Sequence, residues 1–164
     1  MPRAVIGFVV GGVLGAGFGF AAGILVFPYL FPPPEVNEPL IDRAEREVVA
    51  QATFIHANPS DPIHYGRGRA TLYDDLVRLE ADFEVGPGPK FHVYLVPLAE
   101  VTPQTEVERT MFVDLGRLKS FAGSQNYAIP EGIDLADFGS VVIWCEQFNV
   151  LISPATISLV GSAK

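Results

Sequence analysis

Between Ala4 and Phe31 the chain carries no charged side chain, and Pro32, Pro33 and Pro34 then prevent the same helix from continuing. Together these features divide whatever the sequence folds into. Fifteen residues of the run are Val, Ile, Leu or Phe. At about 1.5 Å of rise per residue such a segment reaches ~42 Å as a helix, more than the ~30 Å hydrocarbon layer of a bilayer. Each of those side chains favours insertion by about 0.3–0.6 kcal/mol near the bilayer centre, which outweighs the glycines. The expected organisation is a transmembrane signal-anchor helix over 1–31, a proline-rich stalk with a short helix over 32–47, and a β domain over 48–164.

Gly19-Phe20-Ala21 also offers the small residues of a signal-peptidase site. The apolar run continues past it through Ile24-Leu25-Val26-Phe27 and exceeds a signal h-region of roughly 7–15 residues, so retention as an anchor is expected. Arg3 precedes the run, whereas Glu35, Glu38 and Asp42 follow it before the first basic residue, Arg43. The positive-inside rule then places the N-terminus in the cytoplasm and the domain in the periplasm or outside the cell. Within the run, Gly7, Gly11, Gly15, Gly19 and Gly23 recur every four residues, so successive pairs form overlapping GxxxG motifs on one face. Such a stripe lets a second helix approach closely, either in a homodimer or from another membrane protein; the motif also arises by chance in glycine-rich helices.

The remainder holds all 19 acidic side chains and all but one of the 11 basic ones. An acidic domain repels phosphate backbones, so nucleic acid is not an expected partner. Its length suits one domain with a core of its own. One cysteine, Cys145, permits no internal disulfide.

Past Glu38–Val49, where Leu40, Ile41, Ala44 and Val48 suggest a short amphipathic helix, the pattern turns to period two. Val48 to Ile55 predicts a strand. Arg69 to Tyr73 predicts another, returning through an Asp74-Asp75 turn into a strand with Val77, Leu79, Ala81, Phe83 and Val85 on one face. Gly86-Pro87-Gly88-Pro89 breaks the chain before a strand at Phe91–Val96. Met111–Leu115, Asn126–Ile129, Ser140–Phe148 and Ala155–Val160 complete the strands, with a helical turn at Ile133–Phe138. Many short strands between Gly/Pro turns predict an all-β, antiparallel β-sandwich or barrel-like domain after the one transmembrane α-helix.

Chemistry-bearing residues are few. There is no GxGxxG fingerprint or Walker loop, and His56, His64, His92 and Cys145 match no zinc spacing, so no metal site is expected. Cys145 alternates with Val141 and Ile143 and shares their face, while Val142, Trp144 and Glu146 fall on the other. A free cysteine in such a run is either a small buried hydrophobe or a thiol that acts alone.

Three blocks in order carry a resemblance: Leu115-Gly116-Arg117-Leu118-Lys119; Gly123-Ser124-Gln125-Asn126-Tyr127-Ala128-Ile129-Pro130; and Ser140-Val141-Val142-Ile143-Trp144-Cys145 with Phe148. With Gly66 to Leu72 and Gly88 to Leu95, they resemble the DM thirteen domain over Val48 to Val160. The resemblance implies an electron-transfer role beside extracellular DOMON and b-type cytochrome modules, which this chain lacks. It also implies that Cys145 is a redox thiol or a ligand to a prosthetic group such as haem; no CxxCH for covalent haem is present. The expected function is therefore a membrane-anchored accessory redox module with Cys145 as its candidate catalytic and cofactor-binding residue. The alternative is an anchored binding or structural module in which Cys145 only fills the core. A conventional enzyme ranks behind both.

Overall fold

The computed structural model describes residues 2–160 apart from Pro32 and Ala44, and only the backbone at Leu25 and Tyr29. The expected stalk at Pro32 and the expected helix at Ala44 thus lie outside the described residues. The chain forms two units, 1–33 and 34–164. In the first, helix α1 (Arg3–Leu30) is long and apolar enough to cross a membrane. Pro28 sits in its last turn, where Phe31 N–H still closes on the Phe27 carbonyl at 2.8 Å. A Cβ added at Gly7, Gly11, Gly15, Gly19 or Gly23 would meet nothing within 4 Å, so the stripe is an open groove along the helix.

The second unit is a nearly closed antiparallel barrel. Its strands are β1 (Ala50–Phe54), β2 (Gly66–Tyr73), β3 (Leu76–Leu79), β4 (Glu84–Val85), β5 (Phe91–Val96), β6 (Val113–Arg117), β7 (Gln125–Ala128), β8 (Ser140–Cys145) and β9 (Val150–Leu159). Their order in the sheet is β6-β5-β8-β9-β1-β2-β3-β7, with β4 beside β2. The Asp74-Asp75 turn makes the expected β2–β3 hairpin, in the register Leu72 to Val77 and Tyr73 to Leu76.

Side-chain hydrogen bonds join β7 to the residues just after β6, with Gln125 at their centre. Gln125 is wholly buried, and its Oε1 accepts the Lys119 and Ser120 amides, both at 3.1 Å, and the Tyr127 hydroxyl at 2.8 Å. Its Nε2 donates to the Ser120 carbonyl at 2.9 Å. A buried amide is tolerable only when satisfied in this way, and here it replaces the missing ladder between the end strands.

Two expectations are corrected. Val77–Val85 is not one strand: β3 ends at Leu79, the chain turns with Phe83 N–H on the Glu80 carbonyl at 3.0 Å, and β4 follows. Gly68, at φ +102°, is the reason. Its missing side chain leaves room for the backbone of Asp82 and Phe83 to cross β2, and the left-handed backbone suits glycine. Ala81 is exposed as a result, although Phe83 and Val85 still point inward.

Nor does a helix form among the described residues of Glu38–Val49. The segment from Pro34 runs extended along the Ser120–Asn126 edge instead. Val36 N–H donates to the Ala122 carbonyl at 3.3 Å and Glu38 N–H to the Ser124 carbonyl at 2.9 Å. The Glu38 carboxylate accepts from Lys119 Nζ at 2.7 Å and from the Asn126 amide at 2.7 Å. Arg78, almost fully buried, donates to the Glu38 carbonyl at 3.1 Å. These bonds need extended backbone, and Pro39 disfavours helix in the residue before it. Gly123, at φ +90°, is where the Val36 carbonyl lies against β7's approach.

The inner core joins Val141, Ile143 and Cys145 of β8 to Leu72, Val77, Leu79, Phe83, Val93 and Ile152. A second, smaller core covers the outside of β5 and β8: Tyr94, Val96, Val142, Trp144 and Leu151 packed under Val101, Val107 and Phe112. Every residue of β8 is consequently buried, which explains its unbroken apolar sequence.

Candidate functional site

Cys145 ends β8 with its side chain in the inner core, as its alternation with Val141 and Ile143 predicts. It is 1 % exposed, and its thiol donates to the Pro89 carbonyl at 3.2 Å. Phe91 is its partner across the β5–β8 ladder. The Gly-Pro break folds over this corner. A Cβ on Gly88 would strike the Phe91 ring, and one on Gly86 would strike the Ile63 carbonyl and the Tyr65 ring, so both glycines permit close approach. Phe91 in turn meets Phe121 edge-on, ring centroids 5.8 Å apart.

The haem that the resemblance implies does not fit this packing. Axial thiolate ligation needs a deprotonated sulfur facing an open slot. Here the sulfur is a hydrogen-bond donor enclosed by core side chains, and the turn carrying Pro89 occupies its free side.

The histidines do not gather round Cys145. His56 Nε2 lies 2.7 Å from the Asp61 carbonyl, and His64 Nδ1 lies 2.6 Å from the Asp61 carboxylate. That His64 contact, helped by the Ile63 amide, holds the Asp61 carboxyl down at about 2. These two histidines therefore brace the Asn58–Ile63 loop.

His92 belongs to a different group, on the outer face of the same ribbon that buries Cys145. Its Nδ1 is 3.0 Å from both oxygens of Asp114 on β6, and its Nε2 is 3.5 Å from Glu146 Oε2, just beyond β8. The Tyr94 hydroxyl donates to Glu146 Oε1 at 3.0 Å, and Lys90 Nζ reaches Glu146 Oε2 at 2.8 Å. Contact with Lys90 is the main reason the Glu146 carboxyl sits below its usual range; the Tyr94 hydroxyl and the nearby His92 act in the same direction. Burial, then the negative Glu146 beside it, pushes the Tyr94 hydroxyl upward, so it stays a proton donor. Gly116 N–H donates to Asp114 Oδ1 at 2.8 Å, in a tight turn made possible by a glycine at φ +117°.

Sequence reasoning missed this cluster because its members lie far apart in the chain, and only the β6–β5–β8 pairing unites them. One signal was available: alternation places Glu146 on the same face as Trp144, a charged residue at the end of an apolar strand.

The thiol and the cluster share one turn. Pro89 accepts the thiol, and the carbonyl of the next residue, Lys90, accepts the Glu146 amide at 3.2 Å.

Against known proteins, the family model described as electron transfer DM13 matches residues 60–157, more than half of the chain. No curated protein and no solved structure matches it. The matched region begins after β1, which nevertheless pairs with both β2 and β9 and so bridges the matched strands.

Proposed function

The chain belongs to the electron transfer DM13 family, and on that premise we propose that it is a membrane-anchored accessory redox module, with Cys145 as its redox group. The observation that carries the proposal is the position of the chain's sole thiol: at the end of a central strand, under a Gly-Pro turn and held by the Pro89 carbonyl. Because the chain has no second cysteine, any disulfide must join it to another molecule. In that step the Cys145 thiolate attacks a partner disulfide, one S–S bond forms as the other breaks, and the displaced sulfur leaves as a thiolate. The turn from Gly86 to Lys90 has to lift first, since attack needs a deprotonated, reachable sulfur.

Under this reading α1 is an uncleaved anchor, and Arg3 before it with the acidic residues after it favour an extracytoplasmic domain. The open glycine groove of α1 supports pairing with a second copy or with a membrane protein bearing the electron partner. A second reading rests on the 1 % exposure of Cys145: an anchored binding module in which the thiol is only core.

The test uses full-length protein in detergent micelles incubated with oxidised glutathione, with Cys145→Ser as control. A mixed disulfide on the folded wild type, seen as a mass increase absent from the control, supports the redox module. A protein that stays unmodified until it unfolds supports the binding module. For the anchor, Gly15→Leu with Gly19→Leu should abolish self-crosslinking in membranes if the groove pairs two copies; unchanged crosslinking excludes that pairing.

A further inference from the structure

Strands β5 and β6 and the residue just beyond β8 each deliver one ligand-type side chain to the outer surface of the barrel. One ring nitrogen of His92 and one carboxylate oxygen from each of Asp114 and Glu146 all lie within 4.8 Å of one another. We propose that His92, Asp114 and Glu146 form a binding site for a first-row divalent transition ion, with Zn2+ as its simplest occupant. The proposal goes beyond the redox reading and does not depend on Cys145, whose sulfur faces the opposite side of the ribbon.

Donors bound at about 2.0–2.2 Å from one ion stand roughly 3–4 Å apart, so modest rotamer changes bring the present group to that spacing. The two carboxylates are also held from behind, as ligands in built sites are. Asp114 is fixed by the Gly116 amide, and Glu146 by the Tyr94 hydroxyl and by its own amide on Lys90. An imidazole with two carboxylates favours a borderline transition ion over Mg2+ or Ca2+, which prefer all-oxygen sets. Three protein donors leave coordination positions open, and Asp114 is exposed enough for water or a partner's donor to fill them.

Lys90 gives the proposal its sharpest handle. Its ammonium lies on the same Glu146 oxygen that His92 approaches, and so competes with an incoming cation. Removing Lys90 frees that oxygen and takes away a competing positive charge, so a site that uses Glu146 should bind more tightly.

The experiment titrates full-length protein in detergent micelles with Zn2+ by calorimetry and with Co2+ by visible spectroscopy. Circular dichroism of each variant checks folding. The expected result is saturable Zn2+ binding that His92→Ala and Glu146→Gln each weaken at least tenfold. Lys90→Met should tighten it several-fold, and His64→Ala should leave it unchanged. Co2+ should develop ligand-field bands that Zn2+ displaces and Mg2+ does not. No saturable binding, equal affinity in His92→Ala, weakened or unchanged affinity in Lys90→Met, or displacement by Mg2+ would each overturn the site.

Discussion

The two faces of the β5–β8 ribbon follow opposite logic, although their residues alternate along the same strands. On the inner face Val141, Ile143 and Cys145 are essentially unexposed, with one hydrogen bond at the sulfur. On the outer face near the same end, His92, Asp114 and Glu146 remain partly open to solvent and are held by a polar network. Substitutions on the inner face act through lost dispersion and cavity formation, whereas those in the His92, Asp114 and Glu146 cluster act through charge in a high-dielectric setting. The face with the more conspicuous sequence feature, the lone cysteine, is therefore the less reachable chemically.

The contrast is most strongly tested by Ile143→Ala. Both neighbours along its face are buried, so the cavity cannot collapse, and a loss of about 2–5 kcal/mol is expected in chemical denaturation. A cost near zero would mean that the inner face is not packed as described. Cys145→Ala removes only the sulfur and its bond to Pro89, for an expected cost of about 1 kcal/mol.

On the outer face His92→Ala should cost under about 1 kcal/mol, as partly exposed pairs do. Acidity sharpens the same point through Glu146. Its carboxyl is held below the usual range by Lys90, so its contribution is present above about 4.5 and is lost as pH falls through its folded value. Glu146→Gln should therefore lower stability at neutral pH, converge on the wild type in acid, and so flatten the acid limb of a stability–pH curve. A variant curve parallel to the wild type would show that this face carries no electrostatic stabilisation.

Strand faces were legible in the sequence wherever one side chain in two had to be buried: the assignments of Cys145 and Trp144 to opposite sides of β8 follow from alternation alone. The same rule misread Val77–Val85 as continuous, because the turn at Glu80–Phe83 returns Phe83 and Val85 to the inside and preserves the alternation across a break. Glu38–Val49 looked helical because the apolar spacing of Leu40, Ile41, Ala44 and Val48 fits a helix. The start of the segment is instead tied to the Ser120–Asn126 edge, with Glu38 N–H on the Ser124 carbonyl, and Val49 N–H bonds the Leu72 carbonyl; neither is a partner that a local pattern encodes. The outer cluster was hidden for a related reason. Register between strands decides which residues meet, and a shift between Val93 and Tyr94 sets Asp114 against Tyr94, next to His92.

The central claim, that Cys145 is a redox group under a movable turn, is tested most directly by thiol labelling of the full-length protein across low denaturant concentrations. The account predicts a measurable rate in the native state that is nearly independent of denaturant, as a local opening of Gly86–Lys90 exposes little surface. Labelling that follows global unfolding throughout, with the same steep denaturant dependence, would contradict it and leave Cys145 as core alone.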